Sequence, residues 1–174
     1  MSKKALVTGG CGFIGSHLVD RLLKDNYQVL LLDDLSSGYK SNIEHNISKI
    51  QFIKIKIENF NFNKLNDINV VFHLAAQASV PYSIKHFFNS SKSNMIGTFK
   101  VIEFCENKKI PLIYASSSAV YGNLPFGVED GDINLLSPYA CDKFSMEMYL
   151  KSSTNIKNTS SFGLRFFNVY GPRQ

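Results

Sequence analysis

The chain has 174 residues and 44% hydrophobic content, enough to bury one substantial core but short for two full domains. Its net charge of +5 comes from lysines scattered among Asn and Ile, with no basic run or interleaved aromatic patch, so no nucleic-acid partner is expected. Cys11, Cys105 and Cys141 are odd in number and lack metal-ligand spacing, which fits reduced thiols in the cytoplasm and no bound metal. The apolar run in "MSKKALVTGGCGFIG" is broken by glycines too early for a signal sequence, and no uninterrupted apolar stretch is long enough to span a membrane.

Along the chain, short apolar runs alternate with longer amphipathic ones. That alternation predicts an α/β fold with a doubly wound parallel sheet of the Rossmann kind. The expected strands are "KALVT", "QVLLLD", "IQFIKIKI", "NVVFHLA", "PLIYAS" and "SSFGLRFFN". Helices are expected from about Phe13, across "PYSIKHFFNSSKSNMIGTFKVIEFCENKK", and from Pro138. The chain closes on "NVYGPRQ", a turn-like stretch with no closing helix, so the sheet is expected to be incomplete at its C-terminal end.

"VTGGCGFIGSHL" follows the first expected strand and opens the first helix, the context that a dinucleotide-binding loop requires. Gly10, Gly12 and Gly15 fit one spacing, and Gly9, Gly12 and Gly15 fit its longer variant. Either permits a tight turn, close approach to a pyrophosphate and amide donors from the helix N-terminus. "LLLDDLSSG" then ends the second strand on Asp33, 18 residues beyond Gly15 and near the usual spacing of about 20, where a carboxylate accepts ribose hydroxyls and repels a 2′-phosphate. NAD is therefore expected rather than NADP. Asp34 is the competing acid, its alternative role being a turn cap.

"PLIYASSSAVYG" puts serines at the end of the fifth strand, the sheet edge where doubly wound folds bind ligands. In "LLSPYACDKFSMEMYL", Ser137 suits a helix cap and Pro138 the first helical position, so Tyr139 and Lys143 share one face a turn apart. Tyr139, Lys143, Met146 and Leu150 also form a 4-3-4 stripe that could simply pack at the edge of a core. A free tyrosine has a pKa near 10, and bringing it to about 7 takes roughly 4 kcal/mol, for which a nearby lysine and a cationic nicotinamide are plausible sources.

The ordered set "TGGCGFIGSHL", "LDDLSSG", "VFHLAAQASV", "SNMIGTFKVIE", "YASSSAVYG", "SPYACDK" and "GLRFFNVYGPRQ" resembles the extended short-chain dehydrogenase/reductase family, in particular its NAD-dependent nucleotide-sugar epimerases. The resemblance implies that residues 1–174 are an NAD-binding Rossmann domain and that the family's substrate-binding C-terminal domain lies outside them. It implies Phe13 and Ile14 along the pyrophosphate, and Asp33, Asp34, Leu35, Ser36, Ser37 and Gly38 around the adenosine ribose. Leu74, Ala75, Ala76 and Gln77 would line the cofactor after the fourth strand, with Ser93 nearby and Phe167 at the nicotinamide. Ser117, Tyr139 and Lys143 match the catalytic set, and Ser79 and Asn168 join Ser117 and Tyr139 in holding a UDP-sugar. His73 reads as a hydrogen-bonded core residue. Lys56 and Ile57 stand where the family has an aspartate and a hydrophobic residue beside the adenine, which predicts looser adenine binding.

Family dehydratases carry an acid pair after the active-site Ser/Thr, and decarboxylases often a glutamate, whereas this chain has Ser118 and Ala119. The resemblance thus implies a UDP-hexose 4-epimerase, working by transient oxidation at C4 to a 4-keto sugar. A 4,6-dehydratase or decarboxylase and a non-catalytic NAD-binding module are the alternatives. A homodimer through the Tyr-Lys helix and the long helix before the fifth strand is also implied.

Overall fold

A computed structural model describes residues 2–174. Six strands, β1 (Lys4–Thr8), β2 (Gln28–Asp33), β3 (Ile50–Lys54), β4 (Val70–His73), β5 (Leu112–Ser117) and β6 (Ser161–Phe166), form one parallel sheet in the order β3-β2-β1-β4-β5-β6. The order reverses between β1 and β4, where the chain has gone outward one way and returns to build the other half. That reversal opens a crevice at the carboxyl ends of the strands.

Alternation along each strand divides the core into two layers. In β2, Leu30 and Leu32 face one side and Val29 and Leu31 the other; in β1, Leu6 opposes Ala5 and Val7. The Leu30 side packs against α3 (Phe87–Lys108) and α4 (Pro138–Lys157) through Val101, Phe104, Met146 and Leu150. The Leu31 side packs against α1 (Phe13–Lys24) through Val19 and Leu22, and against Ile43 in a run of 3-10 turns (Lys40–Lys49). Buried on both faces, β1 and β2 read as continuous apolar runs, as interior parallel strands must.

Several element boundaries differ from the sequence expectation: "NVVFHLA" is a strand only over Val70–His73 and "SSFGLRFFN" only over Ser161–Phe166, and three further differences have visible causes. "IQFIKIKI" stays a strand only to Lys54, because its partner β2 ends at Asp33 and the next amide, Ile55, turns to bond the Asp33 carbonyl. The long helical region splits into α2 (Val80–Lys85) and α3 at His86, whose φ of −130° and ψ of 53° lie outside the helical range. The 3-10 run at Lys40–Lys49 is not signalled by apolar periodicity, since Ile43 is its only buried residue.

Candidate active site

The glycine loop is built by backbone contact. Gly9 has φ +72°, and a Cβ there would come within 2.6 Å of the Ala75 amide; a Cβ on Gly15 would strike the Gly9 carbonyl. Gly9, Gly12 and Gly15 line the cleft while Gly10 faces the Leu31 side chain, so the longer glycine spacing is the one that shapes the loop. Gly12 caps α1 with no side-chain partner and the first turn holds no acid, leaving the opening amides of the helix directed at the cleft. This is a cradle suited to a pyrophosphate.

Asp33 ends β2 with its carboxylate accepting the Cys11 amide at 2.9 Å and the Leu35 amide at 2.8 Å. Burial pushes its pKa above the ordinary carboxylate value, and those two amides pull against that shift. Asp34 caps the next turn, accepting the Ser36 amide at 2.8 Å. Both acids line the cleft, as do Ser36, Ser37, Gly38, Lys56 and Ile57. Ile57 is buried against Gly97, on which a Cβ would approach its Cγ2 to 2.9 Å.

At the other end, Ser137 caps α4 by accepting the Ala140 amide at 3.1 Å, and Ser83 of α2 takes the Tyr139 amide at 3.2 Å. The first turn of α4 is thereby anchored from two elements. Tyr139 and Lys143 are both buried, at 8% and 6% exposure, and form one stripe with Met146 and Leu150 as the sequence implied. Burial raises the Tyr139 phenol above its ordinary value, with the Ser117 side chain partly offsetting this. Lys143 donates to the Ala115 carbonyl at 2.7 Å, and its Nζ lies 5.8 Å from the Tyr139 ring centre. Burial lowers the Lys143 pKa to about 8, against which the Asp142 carboxylate acts. In the protein alone, Lys143 is therefore aimed at the β5 carbonyl. Ser117 ends β5, and its Oγ accepts the Ala119 amide at 3.1 Å.

One continuous cleft of about 1100 Å3 takes in the glycine loop, Asp33, residues 74–77, Ser93, Ser117, Tyr139, Lys143, Phe167 and Asn168. Two expected residues lie outside it. Leu35, at φ +61°, turns its side chain into the core under α1, and Ser79 is occupied as the N-cap of α2, accepting the Tyr82 amide at 3.2 Å. His73 is a core residue as expected: its Nδ1 lies 2.8 Å from Thr8 Oγ1 and its Nε2 3.0 Å from Thr98 Oγ1. Burial, reinforced by the Lys143 charge, lowers its pKa to about 3, which holds it neutral.

The cleft also includes Tyr82, Asn89 and Lys92 of the α2–α3 region and Glu58 beyond β3, none of which was expected at the site from the sequence. Beneath the site, Arg165 of β6 pairs with Glu147 of α4 through Nε at 3.0 Å and Nη2 at 2.7 Å, and donates to the Tyr121 hydroxyl at 3.0 Å. Ser116 donates to the same Glu147. This half-buried fork locks β5, β6 and α4 together behind Ser117.

The doubly wound sheet carries a glycine cradle, a strand-end acid and a Ser-Tyr-Lys set along its carboxyl edge, the place where such sheets bind ligands. The family model described as "NAD dependent epimerase/dehydratase family" matches residues 5–174, and the chain belongs to that family. It is 39% identical over 180 residues to the UDP-glucose 4-epimerase of Mycolicibacterium smegmatis, covering 98% of this chain and 58% of that protein. Among solved structures, a UDP-N-acetylglucosamine 4-epimerase from Methanobrevibacter ruminantium in complex with UDP-N-acetylmuramic acid superposes with a TM-score of 0.93 at 41% identity, over 99% of this chain and 57% of that one. A UDP-glucuronic acid 4-epimerase from Bacillus cereus, in complex with UDP-glucuronic acid and NAD, gives 0.92 at 38% identity, over 98% and 58%. The chain thus spans somewhat under three fifths of the length of the relatives it matches.

Proposed function

We propose that residues 1–174 form the NAD-binding Rossmann domain and carry the catalytic residues of a UDP-hexose 4-epimerase. The observation that carries this reading is the single cleft in which the glycine cradle and Asp33 stand at one end and Ser117, Tyr139 and Lys143 at the other. The residues fit NAD: Gly9, Gly12 and Gly15 line the cleft with main chain alone, in a loop packed so closely that a Cβ on Gly9 or Gly15 would strike backbone, and Asp33 disfavours a 2′-phosphate. When bound, NAD supplies the redox chemistry, taking hydride from C4 of the sugar and returning it to the opposite face.

The chain's own residues handle the proton. Tyr139, as phenolate, accepts the proton of the sugar 4-hydroxyl, and Ser117 bridges the two oxygens. Lys143 holds the nicotinamide ribose and, with the positive charge that NAD brings, opposes the burial that keeps the phenol protonated. Phe167, stacked on Tyr121 with ring centres 6.0 Å apart, walls the nicotinamide end, and Asn168 holds the sugar nucleotide. The carboxylates lining the cleft are Asp33, Asp34 and Glu58, all at the β2–β3 end, so none is available near Ser117 for elimination or decarboxylation. This favours epimerisation over the dehydratase reading.

A second copy of the chain is proposed to pack on the α3–α4 face, where Ile96, Phe99, Tyr149 and Ile156 are exposed around a groove of about 520 Å3. The cytoplasm is the proposed location, supported by three free cysteines; among the described residues no helix is long and apolar enough to cross a membrane.

The test is incubation with NAD and UDP-glucose or UDP-N-acetylglucosamine, followed by mass and proton NMR analysis. Interconversion of the C4 epimers at unchanged mass is expected. Loss of water, or of carbon dioxide when UDP-glucuronic acid is the substrate, would overturn epimerisation in favour of the dehydratase or decarboxylase reading. NAD binding without turnover of any UDP-sugar would favour a binding module.

A further inference from the structure

No motif singles out Asp142, yet it is a carboxylate at 7% exposure on the helix that carries Tyr139 and Lys143. A buried charge is costly unless it is paired and hydrogen-bonded. Its Oδ2 accepts from Asn94 Nδ2 of α3 at 2.9 Å, and the next residue along its helix is the Lys143 cation. Asn94, itself 6% exposed, spends the rest of its amide on one backbone position: its Oδ1 accepts the Gln77 amide at 2.7 Å, and its Nδ2 reaches the Gln77 carbonyl at 3.3 Å.

The direction of this chain follows from donor and acceptor chemistry. An asparagine amide can sit either way round, with oxygen and nitrogen exchanged. An ionised carboxylate only accepts, so it forces Nδ2 toward itself and leaves Oδ1 for the Gln77 N–H. Gln77 ends the loop that begins at Leu74, and the Ala75 backbone in that loop packs directly against Gly9. Thr98 fastens the same layer from beside Asn94, donating to the Asn94 carbonyl at 2.6 Å and meeting His73 at 3.0 Å.

We infer that Asp142 is a positioning residue: by fixing the orientation of Asn94 it clips the 74–77 loop, one wall of the cofactor cleft, to the helix that carries Tyr139 and Lys143. The inference rests on the NAD reading of that cleft. It adds that the spacing between the two ends of the cleft is set by a side-chain brace running from α4 through α3, and not by the sheet alone.

The test compares Asp142→Asn, Asp142→Ala and Asp142→Leu with the parent chain, by calorimetric titration of NAD and by NMR-detected exchange of the Gln77 amide. Asn keeps an acceptor for Asn94, Ala removes it, and Leu removes it while preserving volume, so Leu gives the result if Ala fails to fold. Expected are a loss of NAD affinity of about tenfold and Gln77 exchange faster by about tenfold in the Ala and Leu proteins, both within about threefold of the parent in Asn. Asn94→Ala should lose at least as much as Asp142→Ala, because it also removes both Gln77 contacts, and Asp142→Ala should add little on that background, where its partner is already gone. Lower melting temperature with unchanged affinity and exchange would overturn the brace, as would equal losses in the Asn and Ala proteins. A parent that does not bind NAD would overturn the cofactor reading and, with it, the role given to Asp142. A parent that binds while all three variants match it would overturn the brace alone.

Discussion

The two ends of the cleft are made differently. At the glycine end, contacts come from backbone: Gly9 against Ala75, Gly15 against the Gly9 carbonyl, and Asp33 held by two main-chain amides. At the Tyr139 end they come from side chains, with Lys143 on a carbonyl, Ser83 on an amide and Glu147 on Arg165. A site built of backbone fixes shape and tolerates almost no added atom. One built of side chains sets charge and can be retuned by single substitutions. The first suits a ligand that must only be held, the second a group that must gain and lose a proton.

The sharpest way to break this contrast is at Tyr139. Tyr139→Phe removes the proton acceptor and leaves the ring, so epimerisation should fall by at least about 10³-fold while NAD affinity changes little. A rate near the parent's would remove the catalytic role of the tyrosine.

Gly15→Val tests the backbone end, since its side chain must displace the Gly9 carbonyl. NAD binding should drop by roughly 10²-fold or more, measured by titration, with destabilisation on the order of 2 kcal/mol. Asp33→Ala should weaken NAD by about tenfold and narrow its preference over NADP, since the carboxylate that repels the 2′-phosphate is gone. Equal affinities for NAD in parent and variant would take Asp33 out of the ribose site.

The smallest expected effects concern the two buried bases. Lys143 has a folded pKa of about 8, below the ordinary 10.5, so the unfolded chain holds its proton more tightly. Its burial cost is in full force below about pH 8, and stability from this group rises as pH climbs from there to about 10.5. The melting temperature of the parent relative to Lys143→Met should accordingly increase across that window. His73 behaves likewise at lower pH: its folded pKa of about 3 against 6.5 means stability is lost as pH falls through that range. His73→Asn should flatten the acid limb of a melting-temperature profile by a few degrees.

Legibility in the sequence followed the same divide. The glycine loop, Asp33 and the Tyr139–Lys143 turn all depend on short-range spacing, and β1 and β2 occupy the bounds their apolar runs imply. The end of β3 was set by where β2 stopped, and Leu35 left the cleft because its positive φ points it into the core. Asp142 and Asn94 meet across 48 residues of chain, beside Thr98 and His73 in a buried polar network. No local periodicity encodes such a meeting. Lys56 lines the cleft, and Glu58 two residues on brings a carboxylate to the same end, which the departure at Lys56 alone did not suggest.

The three thiols have a practical consequence. Cys11 and Cys105 are fully buried with pKa values pushed up to about 12, whereas Cys141 is exposed, one residue from Asp142 and two from Lys143. Thiolate is the species that alkylates, so a maleimide dye at neutral pH should label one site per folded chain and three per unfolded chain. That count reports the fraction of native molecules in any preparation. The same single dye, seated on the outward side of α4, becomes a fluorescent reporter of whether ligands in the cleft move that helix.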